Sequence, residues 1–136
     1  MKIYFSGSIS GGRQDVDLYA QIIALLKNYG SVLTEHIGET SLSAMGEENV
    51  TSEFIYNRDF QWLKMADVVV AEVTTPSLGV GYEIGIAEQW GKPIFCLFRP
   101  ASGRRLSAMI ESCPGLKLEN YATLHEIEPI LKRWFQ

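Results

Sequence analysis

The amino-acid sequence predicts an α/β protein in which a parallel sheet is covered on both faces by helices. Val68, Val69, Val70 and Val73 form a short β-branched apolar run, the composition of a strand buried on both faces. Further strands are expected at residues 2–6, 31–34, 93–98 and 116–118, and helical patterns lie between them. Strands that alternate with helices imply a parallel sheet built through right-handed crossovers. The expected architecture is therefore three-layered and flavodoxin-like, with five strands in the order 2-1-3-4-5. Its ligand crevice should open beside strands one and three.

Each element has its own warrant. A helix over residues 14–29 buries Ala20, Ile22, Ile23, Leu25 and Leu26, and Gly30 stops it. Residues 35–50 are polar and irregular, a length more typical of a functional flap than of a connector. A second helix over residues 51–65 leads into strand three. Thr74-Thr75-Pro76-Ser77 then turns the chain, and Gly79, Gly81 and Gly85 follow. Past the first two glycines, Ile84, Ala87 and Trp90 recur at helical spacing, which reads as a glycine-bearing loop and then a helix. Glu83 falls in or near the first turn of that helix, where amide dipoles favour an anion and keep its carboxylate ionised. A loop over residues 99–103, a short helix near Leu106, Met109 and Ile110, and a last helix over residues 125–135 complete the chain.

At 136 residues the chain is expected to form one domain, 1–136, without internal repeats or linkers. A net charge of −4 with no basic cluster argues against binding a nucleic-acid polymer, although not against one small anionic ligand. Membrane association is not expected, because no apolar run approaches the roughly 20 residues of a membrane span. The chain opens without a signal-like segment, and Cys96 and Cys113 lack CxxC spacing. Both features suit reduced thiols in a cytoplasmic protein, or a nuclear one if the source is eukaryotic. The two histidines and two cysteines show no metal-ligand spacing, and no G-x-S-x-G elbow is present, so neither a metal nor serine hydrolysis is expected.

Several constellations could carry chemistry. The loop after strand one contains Gly7, Ser8, Ile9, Gly11, Gly12 and Arg13. It reads either as a plain tight turn or, with Ser77 and Gly79 beside it, as a hydroxyl-and-amide cradle for a phosphate. Asp59 lies four residues after Ile55, three before Trp62 and four before Leu63, within an apolar stripe. A carboxylate there needs a partner or a task, and partial burial would raise its pKa towards that of a proton donor. A loop-capping role is the alternative, while Arg58 next door should project into solvent. Tyr4 is either core or a crevice residue whose hydroxyl meets an acid. His36 is either a loop residue or part of a base pocket. Residues 99–107 carry three arginines at the same sheet edge, as a solvated loop, an anion site or a subunit contact.

In combination these residues are more specific than any one motif. Tyr4-Phe5, Gly7-Ser8-Ile9, Gly11-Gly12-Arg13, Leu33-Thr34-Glu35-His36, Asp59 with Trp62-Leu63, residues 66–73 and Pro76 through Glu83 all resemble one family. So do Cys96 through Pro100 and Ser107 through Ile110. The chain resembles the 2'-deoxynucleoside 5'-phosphate N-hydrolases, within the nucleoside 2-deoxyribosyltransferase superfamily.

The resemblance implies that Glu83 attacks C1' of the deoxyribose to form a glycosyl-enzyme that water hydrolyses. It implies that Asp59 helps the base to leave and that Tyr4 orients Glu83. Ser8, Ser77 and Gly79 match positions that hold the 5'-phosphate, within a substrate-binding set that also takes in Gly7, Ile9, Gly11, Gly12, Arg13 and Met109. Ser107 matches a residue contributed by a neighbouring subunit, which implies a homodimer with a shared site. No cofactor is implied, and base contacts are expected from the flap. Close relatives carry an arginine where this chain has Ser10, which leaves Arg13 or the backbone amides to supply the charge. Base exchange between deoxynucleosides, removal of cytosine from a ribonucleotide, and non-catalytic nucleotide sensing are the alternatives on the same residues.

Overall fold

The computed structural model describes residues 1–9, 15–39 and 47–136. Five strands, β1 (Lys2–Ser6), β2 (Ser31–Val32), β3 (Val68–Glu72), β4 (Ile94–Phe98) and β5 (Lys117–Asn120), form one sheet. Their order is β2-β1-β3-β4-β5 and every pairing is parallel, as expected from the sequence. The helices are α1 (Val16–Leu26), α2 (Ser52–Met65), α3 (Leu78–Gln89), α4 (Ala108–Glu111) and α5 (Leu124–Trp134).

Side chains alternate along a strand, so β1 serves two separate cores. Ile3 and Phe5 pack with Tyr19, Ile22 and Leu26 of α1 and with Ile127 and Leu131 of α5. Tyr4 faces the other way, among Val69 and Ala71 of β3, Leu63 of α2, and Val80, Ile84 and Ala87 of α3. The expected boundaries shift where local bonds intervene. Beyond α1 the turn tightens, and the Tyr29 N–H donates to the Leu26 carbonyl at 2.9 Å, which ends the helix before Tyr29. β2 stops at Val32, because the Thr34 hydroxyl takes over as partner of β1. That hydroxyl accepts from the Phe5 N–H at 2.9 Å and donates to the Phe5 carbonyl at 2.6 Å. A short 3-10 turn, Glu35–Gly38, follows in the stretch expected to be irregular.

The start of α3 differs more consequentially. Gly79 and Gly81 lie inside the helix and not in a loop ahead of it. Ser77 is the reason: its Oγ accepts from the Val80 N–H at 3.3 Å and caps the helix before the glycines are reached. A helical glycine costs about 1 kcal/mol relative to alanine, and the cap together with the buried stripe Val80, Ile84 and Ala87 offsets that. Glu83 is consequently in the second turn, and no acidic residue occupies the first. The dipole effect fades within the first turn, so the expected electrostatic support for an ionised Glu83 is absent.

At the end of β3, Glu72 is wholly buried. Its carboxylate accepts from the Thr74 N–H at 2.7 Å, from the Thr74 hydroxyl at 2.9 Å and from the Tyr121 hydroxyl. Arg99 adds a longer ion pair from Nε at 3.4 Å. The same guanidinium meets Asp15 at 2.7 Å, and the Thr75 hydroxyl donates to Asp15 at 3.0 Å. A buried charge is tolerated only when it is paired and bonded in this way. The network joins the residue preceding α1, the loop after β3 and the end of β4. It fixes the edge at which the candidate site lies.

Candidate functional site

Tyr4 and Ser6 are two residues apart on β1 and so face α3 together. Glu83 follows Val80 by three residues and precedes Ala87 by four, which turns it towards the sheet. The hydroxyls of Tyr4 and Ser6 meet its two carboxyl oxygens, Tyr4 at Oε2 and Ser6 at Oε1, the latter at 3.2 Å. Burial pushes the Glu83 carboxyl up to about 8. The two hydroxyl donors act the other way, since bonds to the carboxylate favour the anion. Ser6 was not among the residues expected from the sequence, although its spacing from Tyr4 on the same strand signals it.

The raised Glu83 carboxyl has a measurable consequence for stability. Near the ordinary value of about 4.3 the unfolded chain releases its proton, whereas the folded protein retains it up to about 8. The native state therefore binds more protons across that window, and stability falls as pH rises through it. E83Q keeps a neutral side chain at every pH. Its Tm should exceed that of the wild type at pH 9, and the gap should shrink towards pH 5. A gap independent of pH would contradict the raised carboxyl.

Asp59 is half-buried on the face of α2 that looks towards α3. Burial raises its pKa, and the Arg58 guanidinium opposes that shift. Asp59 and Glu83 line one cavity of about 270 Å³ together with Tyr4 and Gly79. Its remaining walls include Ile55, Tyr56, Phe60 and Ile86, so the space beside the two carboxyls is largely apolar and aromatic. These wall residues come from α2 and α3, although base contacts were expected from the flap; residues 40–46 lie outside the described residues.

A larger cavity of about 640 Å³ adjoins the first at Gly79. Ser77, Arg105, Ser107 and Met109 line it. The Ser77 and Ser107 hydroxyls both act as helix caps, the latter accepting from the Met109 N–H at 3.2 Å. Ser8 is wholly buried at the end of β1, and its N–H donates to the Tyr19 hydroxyl at 3.1 Å. Gly7 lets the Tyr19 ring approach closely, since a Cβ there would lie 3.0 Å from the ring and require it to shift. Ile9 packs against the α1 side of the core. Gly11, Gly12, Arg13 and Ser10 lie outside the described residues.

Two sequence expectations need correction. Arg58 does not project into solvent. Its guanidinium lies 4.8 Å from the Trp62 ring centroid and binds Glu47 through Nη1 at 2.8 Å and Nη2 at 2.6 Å. Its Nε also donates to Asp59 Oδ1 at 3.0 Å. Nor are the three arginines of residues 99–107 one solvated group, because Arg99 is held by Asp15 and Glu72. His36 is not among the residues lining the 270 Å³ cavity. It sits behind Asp59, with Nε2 3.3 Å from Arg58 Nη2, and burial lowers its pKa.

A pair of carboxyls over an apolar cavity, one of them held by a tyrosine, at the strand-end edge of this sheet makes a candidate small-molecule site on a doubly wound fold. The profile of the nucleoside 2-deoxyribosyltransferase family matches residues 3–123, and the chain belongs to that family. Among its relatives, the 5-hydroxymethyl-dUMP N-hydrolase of Rattus norvegicus is 54% identical over 138 residues, covering 98% of this chain and 84% of the relative. The protein of the same name from Danio rerio is 52% identical over 139 residues, covering 100% and 96%. The solved structure of the CMP N-glycosidase from Clostridium botulinum superposes with a TM-score of 0.69 at 15% identity, covering 98% of this chain and 99% of that one, a likeness of fold. Among the described residues, no helix is long and apolar enough to cross a membrane.

Proposed function

We propose that this chain hydrolyses the N-glycosidic bond of 2'-deoxynucleoside 5'-monophosphates, releasing the free base and 2-deoxyribose 5-phosphate. The observation that carries the reading is the convergence of Glu83 and Asp59 on one cavity, with Tyr4 bonded to Glu83. In the first step Glu83 reacts as the carboxylate, the form its Tyr4 and Ser6 hydroxyl donors favour and whose share grows as pH rises towards about 8. One of its oxygens bonds to C1', and the C1'–N bond breaks with its electron pair leaving on the base. Asp59 supplies the proton that neutralises the departing base. In the second step water attacks C1', Asp59 takes its proton, and the Glu83 carboxylate is released. The Tyr4 hydroxyl keeps Glu83 in place between the steps. Membership of the deoxyribosyltransferase family supports chemistry at an anomeric carbon, and the names of the relatives support a phosphorylated deoxynucleoside.

The 5'-phosphate then belongs beside Ser8, Ser77 and Gly79, with Gly7 and Ile9 flanking Ser8. The base belongs against Ile55, Tyr56, Phe60 and Ile86. Assaying a panel of dNMPs and NMPs, with 5-hydroxymethyl-dUMP included, for released base tests the reading. Release from one or more dNMPs, weaker or absent from the matching NMPs, is expected. No release from any dNMP would refute it. Adding a second free base and finding a swapped nucleoside in place of deoxyribose 5-phosphate would assign transfer instead.

The chain is also proposed to act as a homodimer in which Ser107 reaches the neighbouring site, with Met109 beside it at the subunit contact. Leu78 is 96% exposed and Met109 82% exposed, an unusual state for large apolar side chains that flank a cavity. Gly81 lies in the same wall, and among the described residues nothing beyond its neighbours and its own helix backbone comes within 4 Å of where its Cβ would sit. M109E should shift sedimentation from dimer to monomer and weaken dNMP hydrolysis. A wild-type chain that sediments as a monomer at assay concentration would remove the shared site.

A further inference from the structure

We infer that Arg58 is a positioning residue that decides which oxygen of Asp59 carries the acid proton. The inference rests on the hydrolytic reading above and on the geometry behind the cavity. Arg58 is fixed before it meets Asp59: Glu47 binds both of its terminal nitrogens, and its guanidinium lies over Trp62 and near Phe54. From that seat Nε donates to Asp59 Oδ1 at 3.0 Å, and Nη2 is also 3.0 Å from the same oxygen. Oδ2 has no hydrogen bond to any described residue, although Asp59 lines the cavity.

The chemistry of the donor makes this arrangement directional. A guanidinium only donates and stays charged at any working pH, so the oxygen facing it has to accept. A protonated Asp59 must therefore place its hydrogen on Oδ2. From there the proton passes to the departing base as the C1'–N bond breaks and its electrons stay with the base. The carboxylate left behind remains paired with Arg58 through Oδ1, and Oδ2 is ready to take a proton from the attacking water. Behind Asp59 the other titratable groups are His36 and Glu47, and each reaches it across the same guanidinium. Across the cavity it faces Glu83, Tyr4, Tyr56 and Tyr82, and the E83Q background used below removes the acid among them.

R58M tests the assignment, since methionine keeps an unbranched apolar stem for Trp62 and removes every donor. Two substrates are compared: the dNMP that the wild type hydrolyses best, and a 2-deoxyribose 5-phosphate glycoside of p-nitrophenol, which leaves without protonation. In single-turnover measurements, which isolate the bond-breaking step, R58M should lower base release from the dNMP by roughly 10–100-fold and change the first-turnover burst of p-nitrophenol by no more than about threefold. An equal fall on both substrates, or no fall on the dNMP, would overturn the inference.

A second readout needs no turnover. In the E83Q background the Asp59 carboxyl is followed by carbon-13 NMR, and its titration should move to higher pH when R58M is added. An unchanged titration overturns the role of Arg58 even if the wild type hydrolyses nothing, so the two readings fail separately.

Discussion

Replacing Glu83 by alanine is expected to reduce base release from a dNMP by at least ~10⁴-fold, with the fold and the cavity walls intact. The size follows from the step removed. Without a carboxylate at this position, C1' loses the group that forms its new bond, and water is left to attack without preorganisation. Acid-quenched wild type given a slow substrate should carry a deoxyribose 5-phosphate adduct on the peptide containing Glu83, and E83A should carry none. Turnover of E83A near that of the wild type, or an adduct on another residue, would remove the proposed intermediate. Far-ultraviolet circular dichroism separates this outcome from misfolding.

D59N should have the second largest effect, a loss of roughly 10²–10⁴-fold on an unactivated base, the usual worth of a placed proton donor. Asparagine preserves the shape of the side chain and its acceptor towards Arg58, but supplies no acidic proton. Once Asp59 is replaced, any glycosyl-enzyme formed also lacks the group that activates water. Azide, which needs no deprotonation, should then accelerate breakdown of the adduct in D59N and leave the wild type nearly unchanged. Full activity of D59N on a dNMP would assign proton donation elsewhere.

These expectations draw unequally on sequence and coordinates. The sheet order was legible because the β-branched run at residues 68–70 and the alternation of elements admit few topologies. Asp59 was legible for a related reason, since a lone acid within an apolar helical stripe calls for an explanation. The same spacing test applies to Glu83, between Val80 and Ala87, but the glycines drew attention to a loop and placed the helix start too late. Capping by Ser77 outweighed glycine's low propensity, a contest that composition alone does not decide.

Arg58 and Glu72 show a different limit. Arg58 looked solvated because its helix neighbours give no hint of Glu47, which arrives from a separate stretch. Glu72 was passed over inside a valine-rich strand, and its partners Tyr121 and Arg99 are 49 and 27 residues away in the chain. Long-range pairing of polar groups is a property of the fold, and no local pattern carries it.

Anchoring Glu83 to β1 through Tyr4 has an evolutionary corollary. The sheet interior tolerates little change, whereas the outer faces of α2 and α3 are free to vary. On the proposed reading, exchanging side chains such as Tyr56, Phe60 and Ile86 would retune which nucleobase is accepted while leaving the Tyr4–Glu83 contact in place.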